Sequence, residues 1–341
     1  MGVRLAMIAA FALAGTGSVR AGELIEVATA KELAAACRAA APGGFTIRLK
    51  PGVYEISDTL RLRKASHTNI SGSGWNTVIK KLGAGDALVF EDCHFSTVRD
   101  LLIQGQPAAS GSGLVFRDCS SCTVDFCRID GFAVSGVRFE GNAKAPMSSN
   151  TVSRCHFIGN RQEQLYSLNN NDFYILQNQF GTHSATPKAG CVLDHSSAGT
   201  YSLNYHWGNV NALRLGPGAH YNRIENNRFE ESRETGVVIG SESGGDTCSF
   251  NIISGNTIHT NSQSKSGAFP AVAAWNASHT TFSGNQILSW SSNIYTHSSN
   301  LVLGSGCAYW VVTGNIMRHN SGKSIVSDAS SGHIVKDNIG E

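Results

Sequence analysis

Arg138, Glu140, Tyr166, Asp194, His195 and Arg214 could do chemistry together if the fold made them neighbours. A guanidinium can neutralise a substrate carboxylate, a phenol or imidazole can take or return a proton, and two carboxylates can serve as acid and base. All but His195 are strand letters in short apolar alternations. These begin GLVFRD (113), GVRFEG (136), QLYSLN (164), GCVLDH (190), ALRLGP (212), GVVIGS (236), AVAAWN (271) and NLVLGS (300). Stacked in register as strands, the second and fourth letters face a core and the third and fifth face out. The third letters form an outward column Val115, Arg138, Tyr166, Val192, Arg214, Val238, Ala273, Val302. The fifth letters form a second column Arg117, Glu140, Leu168, Asp194, Gly216, Gly240, Trp275, Gly304. The expectation is one wall with His195 just beyond it, and a trough over Gly216 and Gly240 leading to Trp275. The competing expectation is plain ion pairing of Arg138 with Glu140 or Asp194 on a solvated sheet.

A repeat supplies the stacking. VFEDCHFSTVRDLLI (from 89) aligns with VFRDCSSCTVDFCRI (from 115), an offset of 115 − 89 = 26 residues. Related segments, TVSRCHF, YILQNQF, RIENNRF, IISGNTI, TFSGNQI, VVTGNIM and IVKDNIG, carry Cys155, Asn178, Asn227, Asn256, Asn285, Asn315 and Asn338. Short strand–turn units of this kind cannot bury a face alone, so successive coils must stack. The fold class expected is all-β: a single-stranded parallel β-helix, with the recurrent Asn forming a ladder at tight turns. TAKELAAACRAA, within 29–41, reads as a capping helix with Thr29 as N-cap and Glu32 completing a capping box.

The first residues combine Arg4, an apolar run from Leu5 to Ala14 and a Val19-x-Ala21 end, the pattern of a signal peptide over 1–21. The β-helix domain is then 22–341, and the expected location is secreted or periplasmic. Removing Arg4 and Arg20 leaves 27 − 2 = 25 basic residues against 25 acidic ones. Near-neutrality without a Lys/Arg run points away from nucleic acid, and no apolar stretch suits membrane insertion. Nine cysteines, an odd number, leave buried thiols or structural bridges open. Cys119-Ser-Ser-Cys122 has redox spacing without a helix-opening context, and no second Cys/His pair accompanies it to hold zinc.

The coil pattern resembles the right-handed parallel β-helix proteins of the pectate-lyase-like superfamily, and the entry segment EVATAKELAAACRAAAPGGFTIRLKPGVYEISDTLRL looks like their capping helix and first coil. NALRLGPGAHYNRIENNRFEES (211 to 232) is locally similar to the chondroitinase B and alginate lyase family. That family's calcium carboxylates, lysine base and arginine fall on Thr235, Val237, Glu242 and Ala273, which lack the required chemistry. CVLDHSS (191 to 197) is similar to a pectate lyase strand, without the later arginine-rich signature. The polygalacturonase aspartate pairs are absent too.

The resemblance and the wall together imply an exported enzyme cleaving an acidic, uronate-containing polysaccharide or oligosaccharide, by β-elimination in preference to hydrolysis. The catalytic candidates are Tyr166, Asp194, His195, Arg214 and Glu140. The substrate-binding candidates are Arg138, His206, Trp207 and Trp275. In elimination, Arg214 or Arg138 neutralises the carboxylate and Tyr166 or His195 moves the proton. In hydrolysis, Glu140 and Asp194 stand two coils apart, roughly 9 to 10 Å, a separation that suits inversion. A C5-epimerase and a non-catalytic glycan-binding or surface-structural β-helix remain alternatives. No metal or cofactor is assigned, calcium use is left open, and so is assembly into homo-oligomers. The coil TYSLNYHWGN is ambiguous by one residue, so Tyr205, His206 or Trp207 could face a ligand. Arg223, Glu225, Arg228, Glu230 and Glu231 are expected to form a solvated, salt-linked face. Trp290, Tyr295 and His297 are further platform candidates.

Overall fold

A computed structural model describes residues 22–39, 44–106, 108–182, 186–289, 297–327 and 331–340. The leader, Trp290 and Tyr295 lie outside the described residues. The chain winds into a parallel β-helix whose coils contribute one strand to each of three long sheets. Among the described residues these contain thirteen, twelve and eleven strands, here called sheets A, B and C. In the middle coils the chain visits C, A and B in turn, so Leu114–Arg117, Thr123–Asp125 and Arg128–Asp130 form three sides of one coil. Alternation in each strand sends one residue set inward, where Phe90, Phe116 and Phe139 stack with ring centroids 4.8 and 5.1 Å apart.

The corner from A to B is uniformly tight. From Thr97–Arg99 onward two residues join each sheet A strand to its sheet B successor, the first with positive φ, as at Phe126 (50°), Asn226 (57°) and Gly255 (65°). The second residue of that corner builds the expected ladder. Asn178 donates its amide to Asn204 (3.0 Å), Asn204 to Asn227 (3.1 Å), Asn227 to Asn256 (3.0 Å) and Asn256 to Asn285 (3.0 Å). Each amide also reaches a strand carbonyl of the preceding coil, as Asn227 does to Tyr201 (3.0 Å), so backbone groups exposed by the turn find partners inside the cylinder.

Helix α1, Ala30–Ala39, begins with the expected box: Glu32 N–H donates to Thr29 Oγ1 (3.2 Å) and Thr29 N–H to Glu32 Oε2 (3.1 Å). It buries Leu33, Ala36 and Cys37 against the first strands, covering the N-terminal end of the core. All nine cysteines are buried and unbridged, which resolves the alternatives in favour of small core residues. Burial pushes the Cys37 and Cys248 thiols up to about 12.

Candidate functional site

The register of sheet C makes the outward columns real. Val115 pairs with Arg138, Arg138 with Tyr166, Tyr166 with Val192, Val192 with Arg214, Arg214 with Val238, Val238 with Ala273 and Ala273 with Val302. In the second column Arg117 meets Glu140, Glu140 meets Leu168, Leu168 meets Asp194 and Gly240 meets Trp275. Val115 and Ala273 occupy outward positions yet are buried.

The lower part of the wall is an ion-pair lattice. Glu140 accepts from Arg117 Nε (2.8 Å) and Arg138 Nε (2.9 Å). Burial opposes ionisation of Glu140, but these two guanidinium groups outweigh it and hold the carboxyl below the usual range. Arg138 also approaches Glu163 (3.6 Å) and lies over the Tyr166 ring, 4.3 Å from its centroid. Arg138 is therefore occupied. Its guanidinium packs on the Tyr166 ring while its carboxylate partners hold it in place.

Above the lattice the side chains form a hydrogen-bonded line. The Tyr166 hydroxyl donates to Asp194 Oδ2 (3.1 Å), Asp194 Oδ1 meets His195 Nδ1 (2.7 Å), and His195 Nε2 faces Asp246 Oδ2 (3.2 Å). Burial first, then the charge and hydrogen bond of Asp194, push the Tyr166 phenol up to about 12. His195 holds φ 45° directly after the strand Ala189–Asp194. Asp246 comes from the loop between Val237–Gly240 and Cys248–Ser249, an element that alternation could not place.

Beside this line an open cleft of about 520 Å³ is lined by Arg214, Val238, Gly240, Ser241, Glu242, Ser243 and Trp275. The trough arises because Gly240 has no side chain and because the Trp275 indole lies across Gly304, where a Cβ would sit 2.5 Å from the ring. Arg214 is exposed, and among the described residues no carboxylate stands within salt-bridge distance of it. It is the unclaimed cation of the column.

Three expectations need correction. His206 points inward: it is fully buried, stacks on Phe180 at 4.5 Å and hydrogen-bonds the Tyr201 hydroxyl, and burial lowers it to about 3. Alternation then turns Tyr205 and Trp207 outward, but on sheet B, across a corner from the wall. His297 is also buried, held at about 4 by its surroundings, and offers no platform. The charged face holds only in part. Arg223 is exposed and pairs with Glu225 at 3.6 Å, whereas the Glu230 side chain is only 5% exposed, accepting from Arg228 Nε (2.6 Å), His259 Nε2 (2.7 Å) and the Tyr205 hydroxyl.

Among the described residues no three His, Cys, Asp or Glu side chains converge as metal ligands would. Nor is any described helix long and apolar enough to cross a membrane.

The fold is that of the right-handed parallel β-helices of pectate-lyase-like type. Residues 52–288 match the family described as "Periplasmic copper-binding protein (NosD)", and the chain belongs to that family. No curated protein matches it. Among solved structures, the Azotobacter vinelandii mannuronan C-5 epimerase AlgE6 A-module is similar at 16% identity and TM-score 0.59, over 92% of this chain and 95% of that one. The tailspike protein 2 enzymatically active domain of bacteriophage CBA120 is similar at 14% identity and TM-score 0.65, over 84% of this chain. A mutant tailspike protein of E. coli bacteriophage HK620, in complex with pentasaccharide, gives 14% and 0.66 over 94%. The chain spans only 44% and 62% of those two tailspike chains. At such identities the likeness carries the fold alone.

Proposed function

We propose that this is an exported enzyme acting on an acidic, uronate-containing glycan by abstracting the C5 proton, with β-elimination as the outcome. The observation carrying this reading is the unpaired Arg214 beside the Tyr166–Asp194–His195 line, on a wall whose other arginines are neutralised. Removing a proton next to a carboxylate builds negative charge on that carboxylate, which a neighbouring guanidinium stabilises. Asp194 holds His195 by Nδ1, leaving Nε2 as the base once substrate displaces the exposed Asp246. The Tyr166 phenol keeps its proton at neutral pH and so serves as the acid. His195 takes the C5 proton, the C–H electron pair forms the C4–C5 double bond, the C4–O bond breaks, and the leaving oxygen receives the phenolic proton. Trp275 offers the neighbouring sugar an aromatic floor.

Hydrolysis is the weaker reading. Glu140 is held ionised by two arginines and cannot deliver a proton, and Leu168 stands between it and Asp194. The A. vinelandii neighbour is named as an epimerase, whose reaction shares the C5 deprotonation and differs in where the proton returns. The family's description names copper. Copper sites use thiolate, thioether and imidazole ligands. The described thiols are buried in the core and no metal-binding cluster occurs among the described residues, so they do not fit copper and no step runs through it.

The test incubates the mature protein and its Arg214→Ala variant with alginate, polygalacturonate and glycosaminoglycans, with and without a chelator. Elimination leaves an unsaturated uronic end that absorbs in the ultraviolet. Shortened chains without that absorbance indicate hydrolysis, altered configuration without shortening indicates epimerisation, and saturable binding with no product indicates a binding module.

A further inference from the structure

We infer that the outward face of sheet B is a second carbohydrate-contact strip, separate from the wall on sheet C, with two stations for hydroxyl-rich sugar rings. The inference rests on the reading that the chain handles a glycan. At the first station Arg228 lies over the Tyr205 ring at 5.0 Å and is anchored by Glu230 at 2.6 Å. Trp207 stands 5.0 Å from Tyr205, its indole across Gly181, where a Cβ would fall 1.9 Å from the ring. At the second station Arg128 lies over Trp75 at 5.7 Å and is anchored by Asp130 at 2.7 Å. His156 meets the Trp75 edge at 4.9 Å and Phe126 stacks at 6.3 Å.

The two stations share one design built from different sequence: a guanidinium laid on an aromatic ring and fixed by the carboxylate two residues along the same strand. They also share one column, because Arg128 pairs with His156, His156 with Gln179, Gln179 with Tyr205 and Tyr205 with Arg228. Four coil steps separate the arginines by roughly 19 Å along the axis. Ion pairing alone needs no aromatic partner, and rings left in water, such as Trp75 at 36% exposure and Phe126 at 46%, gain by covering. Each carboxylate cancels its arginine's charge, yet the Arg128 and Arg228 side chains stay 37% and 48% exposed. The strip therefore suits C–H faces and hydroxyl oxygens, and its ligand is a polysaccharide recognised through its rings rather than its carboxylates.

Affinity electrophoresis of the mature protein in gels carrying alginate or hydroxyethylcellulose tests this. Wild type should be retained by both polymers, and its retention on the neutral one should persist from about 0.05 to about 0.5 M salt. Trp75→Ala and Trp207→Ala should each weaken retention about fivefold or more, while Trp75→Phe and Trp207→Phe, which keep a ring, stay near wild type. Absence of retention on hydroxyethylcellulose, or alanine variants retained like wild type, overturns the strip. Product formation by wild type against Arg214→Ala reports on the wall alone, so the two readings fail separately.

Discussion

Replacing Arg214 with alanine removes a guanidinium that no described carboxylate holds, whereas the same change at Arg138, three strands earlier in the column, dismantles a lattice. The pair therefore separates function from stability. Arg214 is exposed, so its loss should change unfolding free energy by no more than about 0.5 kcal/mol. In turnover, a charge-assisted hydrogen bond to the reacting carboxylate contributes about 1.5 to 3 kcal/mol. At about 1.4 kcal/mol per decade, kcat/KM should fall roughly ten- to hundredfold. Arg138 pairs with Glu140 and Glu163 and covers the Tyr166 ring with only 22% of its side chain exposed. Losing the ring contact costs about 1 kcal/mol, and stripping one partner from the half-buried carboxylates adds about 1 to 3 more. Arg138→Ala should thus destabilise by about 2 to 4 kcal/mol. Urea denaturation and the ultraviolet product assay, run on both variants, give the comparison. Arg214→Ala turning over like wild type would refute the assignment of the free cation, and equal stability losses in the two variants would refute the distinction between them.

Asp246→Ala should lower KM and leave kcat undiminished, because the exposed aspartate must leave His195 before substrate enters; a tenfold or greater fall in kcat would show that it takes part in the reaction. Asn227→Ala strands the Asn204 N–H and the Tyr201 carbonyl, and should cost about 2 to 6 kcal/mol in urea denaturation. Asn338→Ala, at the partly exposed end of the ladder, should cost far less, and similar losses would remove the ladder from the account of stability. His206 has a depressed folded value of about 3 against an ordinary 6.5, so the unfolded chain binds a proton that the fold refuses. Its contribution is complete above about pH 6.5 and drains as pH falls towards the folded value, at up to about 1.4 kcal/mol per unit. His206→Phe should flatten stability against pH by one proton, and an unchanged slope would contradict the buried neutral ring. Finally, the nine buried thiols should react with a disulfide reagent only on unfolding, and two or more fast thiols in the native protein would contradict their burial.

The β-helix and the wall were legible because strand alternation and coil stacking leave little freedom. Once Phe116, Phe139, Leu193 and Leu215 are read as inward, the outward partners of Arg138 and Asp194 follow. The Asn ladder was legible for the same reason, since one residue type recurs at one corner. His206 was not, because Tyr, His and Trp in succession give no apolar marker of register. Glu230 was misread because its burial comes from Tyr205 one coil before and His259 one coil after, and residues adjacent in space are distant in sequence. Glu163 and Asp246 were missed because they stand outside the aligned letters, one at a strand start and one on a loop.

The two-residue corner between sheets A and B works like the spine of a bound book. Its amide ladder allows no added residue without breaking contact with the pages on either side. Along the coils from Thr97 onward, insertions enter at the other two corners, and both of those border sheet C. A lineage of such chains can therefore redraw the margins of the sheet C wall, as the segment bearing Asp246 does here, while the binding that keeps the coils in order stays untouched.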